Sequence, residues 1–388
     1  MEPFHPLASD CDAPADAVAA SEAVCALPLG RVDGSLGGLL EHEKRLFCWV
    51  FLRSALLSAL TQAGFTDAEL RFDSWFAGTD RGPTGAPHTS TSPRAIVRAI
   101  LAELSRHRWE PLAEAASRVQ RMGRFAADRD DAADDQFAAD ALLHAATLAR
   151  RAAGSNRSPL PFPAMTRLAD LAREDPLFSP GEREVRVLVV AGRSVPYEQS
   201  APRSPLWALD FAVGHLLGFG AAWQIALPCP GAFTQQLLRP ELWPGERRIA
   251  ISEAVEVVVR RVLGFVDIAR RRARLMQSAL GHLRSTARAP DVWMAAIGFA
   301  PLGIEQVSSG FGVSRRGSYT ISETLEASGL MTRSTRKGMV ILAGREPQPN
   351  VAELSGPKLA APSPALDAFD SAMADIDRLL ARRSNRVV

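Results

Sequence analysis

Residues 290–345, PDVWMAAIGFAPLGIEQVSSGFGVSRRGSYTISETLEASGLMTRSTRKGMVILAGR, decide how the chain is read. Pro290 stands at an opening helical position, and Val292, Met294, Ala295 and Ile297 give residues 290–299 an apolar helical pattern. Ile304, Val307 and Phe311 recur at i, i+3 and i+7, one face of a second helix. Gly310-Phe311-Gly312 ends that helix, because glycine takes the positive φ of a tight turn. Ser314 is a favourable N-cap for a third helix, whose apolar face runs through Ile321 and Leu325 to a stop at Gly329. Two short strands follow, about 330–332 and 339–342, around the basic turn Ser334-Thr335-Arg336-Lys337-Gly338. Helix, helix, turn, helix, β-hairpin is the order of a winged helix-turn-helix module.

The side chains agree with that order. With Ile321 and Leu325 inward, Arg315, Arg316, Tyr319, Thr320 and Glu323 fall on the outward face of the third helix. The first residues of a recognition helix are those that reach base edges, which singles out Ser314, Arg315, Arg316, Tyr319 and Thr320. Arginine suits guanine and phosphate because its planar fork donates parallel hydrogen bonds. Arg333, Arg336 and Lys337 in the hairpin are candidate phosphate or minor-groove contacts. The competing reading is a small helical domain whose charged face is solvated or meets a protein. Gly317 and Ser318 are the least helix-favouring residues of the third helix.

Charge distribution supports a nucleic-acid partner. The 388-residue chain is net +2, yet residues 251–345 hold fourteen basic against seven acidic side chains, so the remainder is net acidic. Four of those arginines, Arg270, Arg271, Arg272 and Arg274, lie on a long helical pattern over 249–286. They are candidate phosphate contacts, or else a solvated face paired with acids of the upstream region. With 47% hydrophobic and 23% charged residues, the composition is that of an ordinary globular protein. Cys11, Cys25, Cys48 and Cys229 show no CxxC spacing or histidine clustering, so reduced thiols are expected rather than a disulfide frame or zinc site. The acidic N-terminus lacks a signal-peptide pattern, and no uninterrupted apolar run reaches the roughly 18–20 residues of a membrane helix. A cytoplasmic location is expected.

In chain order, residues 1–20 read as a flexible terminus and 21–34 as loop, followed by a long buried helix over 35–63. Helices are expected at 94–107, 110–125 and 130–152, completing a helical domain over 21–153. The stretch 154–164, GSNRSPLPFPA, has linker composition. A second, mostly helical part spans 165–248, with a strand at 184–191, a Pro-rich loop at 196–206 and an apolar helix at 206–226. The long basic helix covers 249–288 and the winged module 289–345. Beyond it, 346–388 reads as a linker and an amphipathic terminal helix that docks back or pairs with a second copy, which makes a homodimer a candidate assembly. The expected fold is thus mainly α: helical N-terminal domains with a few strands, then the winged module.

Catalytic motifs are missing: no GxxxxGK[ST], no GxGxxG after a strand, no HExxH and no GxSxG occur. No cofactor or metal is expected. His144 and His215 lie in apolar helical patterns and read as packing residues. Asp130, Asp131, Asp134 and Asp135 sit at a helix N-terminus, where carboxylates meet the helix dipole favourably. Trp75-Phe76 reads as a core anchor.

The segment GFGVSRRGSYTISETLEASGLMTRSTRKG, behind a long and mostly helical N-terminal region, resembles a family of uncharacterised alpha-proteobacterial, often plasmid-borne proteins. Its members pair an N-terminal domain of unknown function with a C-terminal helix-turn-helix. The resemblance implies DNA binding and no known reaction. The winged module is also similar to the C-terminal segment of Fic-type adenylyltransferases. Their HPFxDGNGR motif sets His six residues before Asn, whereas His144 here precedes Asn156 by twelve and the acid is missing. The sequence therefore predicts a DNA-binding regulator or plasmid-maintenance factor whose partner is duplex DNA. An enzyme scaffold over 35–245 and a protein-interaction scaffold remain as alternatives.

Overall fold

Residues 41–63 carry apolar side chains on nearly every face, and a helix of that kind has no side to give to solvent. In the computed structural model it is accordingly the central helix, with Leu46, Phe47, Phe51, Leu52, Leu56 and Leu60 all buried. The structure describes residues 13–85, 91–126, 132–154, 160–179, 184–190, 193–199, 203–219, 225–284 and 287–346. The N-terminal part comprises α1 (Ala15–Gly37), α2 (Glu41–Ala63), α3 (Ala68–Phe76), α4 (Pro93–Leu104), α5 (Glu110–Met122), α6 (Ala132–Ala153) and α7 (Phe162–Glu174). Next come β1 (Glu184–Val190), β2 (Arg193–Gln199), α8 (Leu206–Phe219) and the long α9 (Pro244–Leu280). The last elements are α10 (Ala289–Gly298), β3 (Leu302–Gly303), α11 (Ile304–Phe311), α12 (Arg315–Ala327), β4 (Met331–Arg336) and β5 (Met339–Gly344). The fold is mainly helical with a small three-stranded sheet.

The helices expected from periodicity at 94–107, 110–125, 130–152 and 249–286 appear as α4, α5, α6 and α9 with shifted ends. Several segments differ from expectation, among them α3, which was not expected, and α7, which begins inside the expected linker 154–164; three differences bear most on the fold. Residues 15–37, read as terminus, loop and the start of one long helix, form the separate α1, which runs through Pro28. Its stripe Val18, Cys25, Leu29, Val32 and Leu36 is buried, and α1 packs on α9. That burial outweighs a proline whose cost inside a helix is about 3 kcal/mol. Residues 196–199, read as loop, extend β2, with Pro196 opposite Val187 in a two-stranded hairpin, where each strand is an edge strand of the kind that tolerates proline. Finally, α2 is long and apolar enough, by length and composition, to cross a membrane, although no such segment was expected. Arg45 and Arg53 hide this in the sequence, and 61% of its most apolar window is buried within the fold. The linker and terminal helix expected beyond Glu346 lie outside the described residues, as does Cys11; Cys25, Cys48 and Cys229 are free and buried.

The C-terminal elements share one core with the helices before them, and residues up to 346 form one compact unit. Strand β5 lies between β3 and β4, all antiparallel, with Leu302 opposite Leu342 and Met331 opposite Gly344. Gly344 passes so close to α10 that a Cβ there would sit 2.6 Å from the Ile297 nitrogen. Polar side chains complete the joint. Asp291 on α10, 6% exposed, meets Arg45 of α2 at 3.1 Å, Arg118 of α5 at 3.6 Å and Arg288 at 3.4 Å. Carbonyls at the end of α10 receive guanidinium donors: Phe299 from Arg53, and Ile297 from Arg272 at 2.9 Å. Gln306 on α11 donates to the carbonyls of Phe76 (2.9 Å) and Met122 (3.1 Å), where α3 and α5 end, and accepts from Gly303 N–H at 2.8 Å.

Replacing Gln306 by Leu leaves buried polar groups unpaired, each costing about 1–3 kcal/mol. The expected result is a urea midpoint lowered in a single transition shared by α2, α5 and α11. An unchanged midpoint would mean that this amide contributes nothing to stability.

Candidate functional site

Ser314 caps α12 as its residue type predicts, with extended backbone and Oγ accepting from Gly317 N–H at 3.1 Å. The cap lets the helix begin with two exposed arginines, Arg315 and Arg316, despite the weak propensity of Gly317 and Ser318. Ser318 is buried, and its hydroxyl returns to the Ser314 carbonyl at 3.2 Å. The inward face is therefore Ser318, Ser322 and Leu325, with Ile321 only half-buried at its margin. This rotates α12 from the expected orientation. Arg316, Thr320 and Glu323 remain outward, whereas Tyr319 is half-buried against the core. Small serines at 318 and 322 allow the helix to approach closely, a preference that a search for large apolar residues misses.

The hairpin β4–β5 stands beside this helix. It turns on Lys337 and Gly338, with φ of 48° and 76°, the two-residue type I′ geometry that suits the twist of paired strands. Thr332 to Gly338 are all exposed. Arg333 reaches back to Glu326 of α12 at 3.6 Å, while Arg336 and Lys337 make no ion pair among the described residues. Between helix and turn lies a small cleft of about 100 Å³, bounded by Arg315, Tyr319, Met339, Glu305 and Arg124. Arg124 follows α5 and pairs with Glu305 at the start of α11. No local pattern in the sequence marks Arg124, because its partner is 181 positions away.

The arginine run on α9 divides. Arg271 and Arg272 both bind Glu346, at 3.1 and 2.9 Å, and Arg272 also holds the Ile297 carbonyl. These two join α9 to the end of β5 and to α10, which removes Arg272, 18% exposed, from the candidate phosphate contacts. Exposed Arg274 and half-buried Arg270 have no ion pair among the described residues. The histidines read as packing residues are exposed and paired, His144 with Asp175 at 2.6 Å and His215 with Glu103 at 3.3 Å, and His144 also stacks on buried Phe178. The hydrogen bond with His215 is the main cause that holds the Glu103 carboxyl below its ordinary range. Asp134 accepts from the Ser92 N–H at the start of α4, and Asp135 pairs with Arg98; Asp130 and Asp131 lie outside the described residues. Trp75 and Phe76 are buried, in an aromatic cluster with Phe72, Phe125 and Phe299. Among the described residues no three His, Cys, Asp or Glu side chains gather as a metal site.

Compared with known proteins, the chain matches no family model and no curated sequence.

Asp210 on α8 is a strongly perturbed buried carboxyl. Burial pushes it up to about 7, against hydrogen bonds from Phe233 N–H (2.7 Å), Gly231 N–H (2.6 Å) and Gln62 (2.8 Å). The folded chain keeps this proton up to about pH 7, whereas an exposed carboxyl releases it near 3.8. Its contribution to stability is therefore fully present below about pH 4 and is lost as pH rises through 7. Carboxyl ¹³C NMR should give Asp210 a midpoint near 7, and a midpoint near 4 would contradict a buried, dry site.

Proposed function

We propose that the chain is a DNA-binding protein, a transcriptional regulator or plasmid-maintenance factor, that reads duplex DNA through a winged helix-turn-helix formed by α10 to β5. One observation carries the reading: the capped start of α12 and the neighbouring hairpin turn together present Arg315, Arg316, Arg336 and Lys337 to solvent, unpaired among the described residues. In this reading α12 enters the major groove, where Arg315, Arg316 and Thr320 address base edges. Ser314 sets the helix start, and Tyr319 braces the helix against the hairpin. Arg336 and Lys337 lie along the phosphates or the adjacent minor groove, and Arg333 joins them when released from Glu326. Arg270 and Arg274 are further phosphate candidates. The excess of basic residues over 251–345 and the family resemblance both favour the same partner, and a cytoplasmic location follows from it.

Fluorescence anisotropy with pooled native and random duplexes across a salt series tests this. Wild-type affinity should fall steeply with salt, because phosphate contacts release counterions. Arg315→Ala/Arg316→Ala should weaken binding at least tenfold at fixed salt, with loss of any enriched sequence. Lys337→Ala should weaken all duplexes alike and reduce the salt slope by about 1. Absence of binding at low salt contradicts the reading.

A further inference from the structure

The cleft of about 100 Å³ beside α12 joins the candidate DNA surface to the helical body. Arg315 and Tyr319 enter its lining from α12, Glu305 from the start of α11, and Arg124 from the chain just after α5. Small-molecule pockets begin at about 300 Å³, so this cleft is too small to be one. At about 30 Å³ per water it has room for a few waters, or for one phosphate group in their place.

Its charged groups face solvent. Arg124 is 47% exposed and Glu305 53%, so water screens their ion pair and the pair contributes little. Arg315 is exposed and has no ion pair among the described residues. Two cations therefore meet one anion here, and that anion is weakly held. A nucleic-acid phosphate can replace it: the guanidinium fork binds phosphate as it binds carboxylate, and neutralising a phosphate also releases condensed counterions.

We propose that Arg124 anchors a phosphate of the duplex whose base edges Arg315 reads, with Glu305 as the internal anion that the phosphate displaces. This rests on the DNA-binding function proposed above and adds the helical body to its contact surface. Such an anchor fixes register, because phosphate contacts position a protein on the duplex while base contacts specify. The backbone around Arg124 suits the task, being held on both sides. Gln306 holds the Met122 carbonyl at 3.1 Å, and Trp75 Nε1 donates to the Ala126 carbonyl at 3.1 Å. Phe125 packs on the same tryptophan, with ring centroids 4.5 Å apart. Glu305 then tunes affinity, since its carboxylate competes for the anchor.

Fluorescence anisotropy of the full chain with a pool of random duplexes, across a salt series, reads the contact. Arg124→Ala should weaken binding about fivefold for all duplexes alike and lower the salt slope by about 1. Glu305→Gln breaks the same ion pair, yet it should strengthen binding about threefold. In the double variant that gain should largely disappear, because the arginine it frees is gone. Weaker binding in both single variants would make the pair a structural joint and overturn the contact. A Glu305→Gln gain of equal size with and without Arg124 would reduce it to long-range charge and overturn it too. No effect of Arg124→Ala, while Arg315→Ala/Arg316→Ala still weakens binding, overturns the contact and leaves the DNA-binding function standing. A wild-type chain that binds no duplex at low salt overturns both.

Discussion

A buried primary amide joins parts of this structure that lie 230 and 184 positions apart in sequence. Gln306 is 1% exposed, and both ends of its side chain are used: two donated bonds to the ends of α3 and α5, one accepted from its own helix start. An amide buried in this way tolerates little displacement, because each lost bond leaves a desolvated polar atom. Asp291 performs the corresponding task for α10, where one carboxylate is surrounded by arginines from α2, α5 and its own helix. The orientation of α11, and with it α12 and the hairpin, is consequently set by the helical body rather than by a tether.

That constraint sorts the arginines. Arg53, Arg118, Arg272 and Arg247 direct their guanidinium groups at carbonyls or carboxylates of the chain, and Arg247 is almost fully buried. Cations placed at helix C-terminal carbonyls satisfy acceptors that the helix leaves open. Arg315, Arg316, Arg336 and Lys337 do nothing of the kind among the described residues and face solvent. Net charge over the last third of the chain mixes both groups. Only geometry shows which cations are left facing solvent.

Periodicity made the helices of 94–152 and 249–286 legible, and punctuation by Ser314, Gly312, Gly329 and Gly338 made the order of the C-terminal elements legible. Long-range packing was not. Pro28 reads as a breaker until its helix is laid along α9, and Ser318 reads only as a weak helix former until close approach buries it with Ser322. Strand β3 is two residues long and exists only as a partner of β5, so no window of sequence contains its signal. The candidate surface was legible where it is local, in Arg315, Arg316 and Lys337. It was missed where it depends on distant chain, as with Arg124, and left open at Arg272, whose partners come from two other elements.

The central claim is that the C-terminal elements and the helical body are one cooperative unit. Native-state hydrogen exchange across a denaturant series measures this directly, since amides that open together share one opening free energy and one denaturant dependence. The account predicts that core amides of α11 and β5 merge with those of α2 and α5 at the global unfolding free energy. Separate, lower-energy opening of residues 289–346 while α2 stays protected would contradict it and make the C-terminal segment an independent domain.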